Sequence, residues 1–361
     1  MHQQALMLMC TLLFSSRAIT SAEIVEGELG SRLDRHMQDV AAKGFGGALL
    51  VAKNGHLVIA KGFGLASHSP DVPFRADTDF DIGSITKQFT AAGIIKLEQA
   101  GKLRLDQRIG DFFQIVPPDK APITLHQLLT HSAGLVDALG DDYDPLTRPQ
   151  LVERALASQL LSAPGEQYHY SNVGYSILGA IIELVSGQSY EVFLRENLFR
   201  PAGMERTGYL LPNWDKENLA RGFRRNGADW GTPLDHRWDT DGPYWNLRAN
   251  GGILSTVGDL YRWHLALERD DILSPASKQK LFTPYIAEGP NAGTHYTYGW
   301  VIATTNRGTK LITHNGGNGI FFADFRRFVD EDVVLIIASN HAAHSAERYE
   351  GAVLQIVISP Q

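Results

Sequence analysis

The chain has 361 residues, 43% of them hydrophobic and 20% charged, and carries a net charge of −7. That is long enough for a sizeable hydrophobic core in one large domain or two. The acidic balance excludes a general nucleic-acid binder, which needs a basic surface, and no apolar run reaches the roughly 20 residues of a membrane-spanning helix.

Residues 5–14, A-L-M-L-M-C-T-L-L-F, form a short apolar run, and T-S-A at 20–22 supplies small residues for cleavage. The pattern predicts a signal peptide over 1–22 and export to the periplasm or medium, although its first residues, M-H-Q-Q, carry no Lys or Arg. Cys10, the one cysteine, falls inside it. The remainder then has no thiol for a disulfide, a cysteine-zinc cluster or a cysteine nucleophile.

S-R-L-D-R-H-M-Q-D-V-A-A-K-G predicts an amphipathic helix capped at Ser31 and stopped at Gly44, with Leu33, Met37 and Val40 facing inward. G-A-L-L-V-A-K and H-L-V-I-A-K-G flank Asn54-Gly55, a strong hairpin signal. A helix is expected from Ser84 to Gly101, a second over T-L-H-Q-L-L-T-H, and a third, apolar nearly throughout and so buried, over N-V-G-Y-S-I-L-G-A-I-I-E-L-V-S-G. From about 205 to 247 the pattern becomes loop-rich, yet Trp214, Trp230, Trp238 and Trp245 make it too apolar for a free linker. It is expected to pack down as a flap or lid, either as a satellite core or as a substrate rim.

Strands return in Y-G-W-V-I-A-T, K-L-I-T-H, F-F-A-D-F-R-R-F and V-V-L-I-I-A-S, and a helix over roughly 344–357 closes the chain. Together these predict an α+β fold in which the early hairpin joins late strands in a five-stranded antiparallel sheet flanked by N- and C-terminal helices. Residues 23–100 supply the first part of the sheet domain, 101–247 an inserted, mostly helical domain, and 248–361 the second part.

Three short motifs carry chemistry, and each has a decoy. Ser-x-x-Lys occurs at Ser84/Lys87 and at Ser277/Lys280; Tyr-x-Asn at Tyr170/Asn172 and Tyr244/Asn246; and a basic residue two before Gly at His314-Asn315-Gly316 and Lys53-Asn54-Gly55. Positions three apart share a helix face, so a lysine could touch a serine there, and an amine of depressed pKa can activate a hydroxyl. Lys53-Asn54-Gly55 is already a hairpin turn, Ser277 sits in a Lys-rich helix start, and Tyr244 lies in the aromatic loop. The order that remains is Ser84-x-x-Lys87, Tyr170-Ser171-Asn172, His314-Asn315-Gly316.

With I-T-L-H-Q-L-L-T-H-S-A-G-L at 123–135, P-G-E-Q-Y-H-Y-S-N before the buried helix and N-G-G-I-L-S-T-V-G-D-L at 250–260, the chain resembles the serine β-lactamase and penicillin-binding-protein superfamily. Within it the likeness is to the class C-like branch of D-alanyl-D-alanine carboxypeptidases, esterases and class C β-lactamases, over about residues 30–357. The resemblance implies the β-lactamase/transpeptidase-like fold and acyl transfer through an acyl-serine. Ser84 would be the nucleophile at a helix start, Lys87 a buried amine of lowered pKa, and Tyr170 its partner as general base and then acid. Asn172, His314 and Gly316 would line the substrate, and the backbone N–H groups of Ser84 and Gly317 would form the oxyanion hole. No cofactor is implied, and the expected partner is a small molecule or short peptide.

D-amino peptides or small esters are expected ahead of β-lactams, because His314 stands where class C β-lactamases carry a fixed positive lysine. The alternatives are a β-lactamase proper and a catalytically silent penicillin-binding receptor. A G-x-S-x-G hydrolase is disfavoured because the pentapeptide is absent. A zinc site at His341, His344 and Glu347 is disfavoured because a solvated helix face explains that spacing.

Overall fold

The computed structural model describes residues 23–358; the leader-like segment 1–22 lies outside the described residues. A nine-stranded, wholly antiparallel sheet runs through the molecule. Its strands are β1 (Ile24–Val25), β2 (Gly47–Lys53), β3 (His56–Phe63), β4 (Ile286–Ala287), β5 (Thr294–Tyr296), β6 (Val301–Thr304), β7 (Lys310–Gly317), β8 (Phe322–Phe328) and β9 (Val333–Ser339). Their spatial order is β1-β3-β2-β9-β8-β7-β6-β5-β4.

The expected five strands are therefore too few. The hairpin and the four late strand segments already make six, and three more lie at the edges: β1 extends β3, while β4 and β5 extend β6. Strands of two or three residues show too little alternation to be read from sequence.

Both faces of the sheet are covered, which explains why its central strands are almost continuously apolar. On β2 and β9 the side chains alternate between two cores. Leu49, Val51, Leu335 and Ile337 pack with Leu33, Met37 and Val40 of helix α1 (Gly27–Ala41) and with Val353 and Val357 near the C-terminus. Leu50, Ala52, Val334 and Ile336 face the larger core with α2 (Thr86–Gln99), α3 (Leu125–Leu129), α4 (Arg148–Ala157), α5 (Asn172–Ser186) and α6 (Val257–Glu268). The last helix, α7 (Glu350–Ile358), packs beside α1.

Helix starts differ from expectation in three places, the last helix beginning at Glu350 rather than about 344, after a 3₁₀ turn over Ala346–Arg348. Glu26, not Ser31, precedes α1, and the Ser31 hydroxyl instead donates back to the Gly27 carbonyl at 2.9 Å. Ser84 lies in a 3₁₀ turn, Gly83–Ile85, that leads directly into α2, which begins at Thr86. The extent of α5 matches expectation, and its ends are capped: Ser171 accepts from the Gly174 N–H at 3.0 Å, and Gly187 ends the helix with a left-handed φ of 71°. Among the described residues no single helix is long and apolar enough to cross a membrane.

The tryptophan-bearing stretch packs down. Trp245 is buried, Trp238 meets Tyr209 edge-on at 5.8 Å, and Trp214 donates to the Tyr209 carbonyl at 2.6 Å. Arg248 pins the end of this stretch by donating to the Pro243 carbonyl at 2.9 Å and pairing with Asp241 at 2.6 Å.

Candidate active site

The turn holding Ser84 lies directly against the end of β7. Gly83 has φ of 51°, and a methyl group on it would sit 2.3 Å from the Gly317 nitrogen. A methyl on Gly316 would come within 2.4 Å of the Ser84 nitrogen and 2.1 Å of the Ile82 carbonyl oxygen. Only glycine permits this approach, which brings the Ser84 and Gly317 backbone nitrogens to one end of a cleft.

Asp81 fastens the junction. Its carboxylate accepts from the Gly83 N–H at 2.7 Å and from the Asn318 amide at 3.0 Å, tying the serine turn to the residue after Gly317. Asp81 is fully enclosed, and burial raises its pKa to about 7 against those two bonds.

Lys87 is buried one helical turn beyond Ser84, and its Nζ has three partners: Ser84 Oγ at 2.9 Å, Asn172 Oδ1 at 2.7 Å and the Asn250 carbonyl at 2.8 Å. The Asn172 orientation is set from behind, because its amide nitrogen donates to Asp137 at 3.0 Å and turns the oxygen toward the lysine. The 248–250 loop is set by α5 and α2. Ser176 Oγ donates to the Arg248 carbonyl at 2.9 Å, Asn250 donates to Ser176 Oγ at 2.8 Å, and Thr90 donates to the Ala249 carbonyl at 2.6 Å.

Desolvation lowers the Lys87 pKa to about 7, opposed by the more distant charges of Asp137 and Asp142. Two of its three partners are obligate acceptors in this geometry. When the amine is neutral, only Ser84 can donate to its lone pair.

Tyr170 lies beside both groups. Lys87 Nζ is 4.7 Å from its ring centre, and the Ser84 hydroxyl works against the burial that drives the phenol well above its ordinary pKa. His131 packs flat-tilted on Tyr170 with ring centres 4.3 Å apart, and its Nδ1 accepts from the Ser171 N–H at 3.0 Å. That bond fixes the neutral tautomer with the proton on Nε2. His131 takes a left-handed φ of 56°, and its carbonyl accepts from the His169 N–H at 2.8 Å, so it holds the whole 169–172 turn.

His314 is also buried and neutral. Its Nδ1 donates to the Asn315 carbonyl at 2.6 Å, so its Nε2 must accept from the Tyr296 hydroxyl at 3.0 Å. Burial first, and Lys87 second, lower its pKa to about 4.

These residues open onto a cleft of about 270 Å³ lined by Ser84, Tyr168, Tyr170, Glu288, Tyr296, Val301 and the 314–317 segment. The structure thus brings together Ser84, Lys87, Tyr170, Asn172, His314, Gly316 and Gly317. Three tyrosines line this cleft and none of the four tryptophans does: Trp245 sits in a small separate core with Leu146, Leu151 and Ala180, while Trp230 and Trp238 pack against the main core.

The decoys separate. Ser277 Oγ bonds Gln99 at 2.9 Å while Lys280 pairs with Glu98 at 2.8 Å, and Asn246 donates to the Asp141 carbonyl at 2.9 Å. The His341 and His344 rings lie 5.0 Å apart with local partners, Ala343 N–H and Tyr349 hydroxyl.

Asp81, Asp137, His131 and Asn250 escape motif reading. His131 and Asn250 do lie in the flanking stretches that carry the resemblance, but nothing in their spacing gave either a role. Asp81 supplies only a carboxylate ahead of a glycine, a pattern common in turns.

The family described as Beta-lactamase matches residues 33–357. The chain is 29% identical over 325 residues to penicillin-binding protein 4* of Bacillus subtilis, covering 86% of this chain and 71% of that one. Other curated relatives are longer, and the chain spans 61% and 54% of two of them, from B. subtilis and Staphylococcus aureus.

Among solved structures it is similar to an octameric penicillin-binding protein homologue from Pyrococcus abyssi, with 31% identity and a TM-score of 0.77 over 91% of this chain and 77% of that one. A penicillin-binding protein from Bacillus halodurans matches at 25% identity and a TM-score of 0.75, over 89% and 99% of the two chains. The chain belongs to the beta-lactamase family, the serine hydrolases related to penicillin-binding proteins.

Proposed function

We propose that the protein hydrolyses D-amino peptides or small carboxylic esters through an acyl-serine on Ser84, and that it stands on the class C-like branch. The observation that carries the reading is the enclosed Lys87 amine, 2.9 Å from Ser84 Oγ with its other two contacts made to acceptors. Neutral Lys87 takes the Ser84 proton as Oγ bonds to the substrate carbonyl carbon. The negative charge that develops on the carbonyl oxygen is met by the N–H groups of Ser84 and Gly317.

When the bond to the leaving group breaks, Tyr170 donates its proton to that group and is reprotonated from the Lys87 ammonium. Water then attacks the acyl-serine with the same pair serving in reverse. Burial keeps the Tyr170 phenol protonated, so it has a proton to give and leaves the base role to Lys87, a narrower division than the one the resemblance implies. The tyrosine beside the nucleophile supports the class C-like placement. The intact set of Ser, Lys, Tyr and Asn speaks against a silent receptor.

Substrate preference is tested by kcat/KM on a short-chain aryl ester, a D-amino peptide and a cephalosporin side by side. The ester or peptide is expected to lead, because neutral His314 supplies no fixed positive charge for a β-lactam carboxylate. A cephalosporin preferred by about tenfold or more, a difference of about 1.4 kcal/mol in transition-state binding, would overturn the substrate reading.

The Asp81 junction gives a second expectation. In Asp81→Asn the new amide nitrogen faces a donor in either orientation, the Gly83 N–H or the Asn318 amide, and Asn318 cannot turn because its oxygen already accepts from Ile320 and Phe321 at 3.0 and 2.9 Å. The Gly317 donor should shift, lowering kcat about tenfold with little change in KM, short of the roughly 10²–10³ typical of losing a donor outright. Steady-state kinetics on an aryl ester measure this, and an unchanged kcat would contradict it.

We also propose export, supported by the leader-like segment 1–22. Bacterial expression of the full chain should yield a protein outside the cytoplasm whose mass begins near Glu23; intact Met1 in the cytosolic fraction would contradict it.

A further inference from the structure

We propose that Glu288 selects for a positively charged group on the substrate, so that the preferred substrates are amino-acid esters or amides bearing a free amine and carboxylate-bearing substrates are disfavoured. This rests on the hydrolase reading above and adds its substrate class.

Glu288 follows edge strand β4 and lines the same cleft as Ser84. Its backbone N–H donates to the Thr294 carbonyl at 3.2 Å, and the Tyr168 hydroxyl donates to Oε1 at 3.1 Å. The carboxylate is therefore anchored through both main chain and side chain at the cleft wall. It is also close enough to the reacting centre for its charge to act on Tyr170, the phenol beside Ser84.

Among the described residues no lysine or arginine lines the cleft wall, Lys87 lying buried behind Ser84, and His314 is held neutral by its two hydrogen bonds. A ligand that fills the cleft displaces water from the Glu288 carboxylate. A ligand ammonium compensates that loss directly. A ligand carboxylate adds like-charge repulsion to it, which is how specificity against a competitor is built.

The test compares three substrates of one scaffold: D-alanine p-nitroanilide with its free amine, the N-acetyl derivative and the N-succinyl derivative. Glu288→Gln keeps the shape and an acceptor for Tyr168 while removing the charge. We expect kcat/KM for the free amine to fall about tenfold, the N-acetyl compound to change less than about twofold, and the N-succinyl compound to rise about tenfold, as expected for charge complementarity at a partly exposed site. Glu288→Lys should reverse the wild-type ranking of free amine over succinyl.

In the wild type, the ratio of free-amine to N-acetyl rates should fall as pH rises through the α-amine pKa of about 8, an effect a merely structural role for Glu288 would not produce. Hydrolysis of p-nitrophenyl acetate and fluorophosphonate labelling of Ser84 report folding and the underlying chemistry. Normal labelling with all three substrates shifting equally, or none shifting, overturns the Glu288 assignment alone. A wild type that is not labelled at Ser84 overturns the hydrolase reading and this one with it.

Discussion

Ser84→Ala is expected to lower ester hydrolysis by roughly 10⁴–10⁶-fold, the scale on which loss of a catalytic serine acts, while Ser277→Ala leaves it within about twofold. Both serines precede a lysine by three residues, but only one pair is chemically joined. The Ser84 hydroxyl receives a hydrogen bond from buried Lys87 and faces the cleft. Ser277 is bound to Gln99 at 2.9 Å, and its lysine reaches away to Glu98 at 2.8 Å. Steady-state rates of the two variants, with circular dichroism as a folding control, decide the assignment. A large loss in Ser277→Ala with activity retained in Ser84→Ala would reverse it.

Lys87→Arg is expected to lose about 10³-fold or more, since an arginine stays protonated and cannot accept the serine proton. In the wild type, kcat/KM should rise with pH through about 7, where Lys87 loses its proton. No alkaline limb is expected nearby, because burial pushes the Tyr170 phenol far above its usual range.

The same lysine carries a stability signature. The folded chain holds the Lys87 proton only to about pH 7, whereas the unfolded chain holds it to about 10.4. The unfolded state binds more protons in that window, so this group's contribution to stability rises from pH 7 to 10 and is at its least below pH 7. Lys87→Met should remove this upward trend from a chemical-denaturation series. Tyr170→Phe combined with Lys87→Arg should cost little more than Lys87→Arg alone, because residues acting as one proton network are strongly non-additive. Full additivity would show that they act separately.

The residues that could be read directly are those whose spacing is itself the signal. Ser84 and Lys87 stand out by their spacing together with their order ahead of Tyr170 and His314, since Ser277 and Lys280 share the spacing yet stay apart; Asn54-Gly55 stands out by turn chemistry, and α5 by its apolar run ending at Gly187. The central strands were legible because two-sided burial makes them long and apolar. The short edge strands were not, since two or three residues take their conformation from a neighbour rather than from their own pattern.

The same limit applies within the site. The Asn250 carbonyl contacts Lys87 through its main chain, which no side-chain motif reveals. Asp81 bridges two segments 237 residues apart in the chain. Glu288 meets Tyr168 only because β4 folds to the cleft edge. Such partners are brought together by topology, and the Gly83–Gly316 approach is the clearest instance.

The central claim is a covalent acyl-enzyme on Ser84, and intact-protein mass spectrometry after rapid acid quench tests it most directly. With a slowly deacylating ester or a fluorophosphonate, the wild type should gain the mass of one acyl or phosphonyl group per chain. Peptide mapping should place it on Ser84, and Ser84→Ala should gain nothing. An adduct of equal stoichiometry on any other residue, or substrate turnover undiminished in Ser84→Ala, would contradict the account.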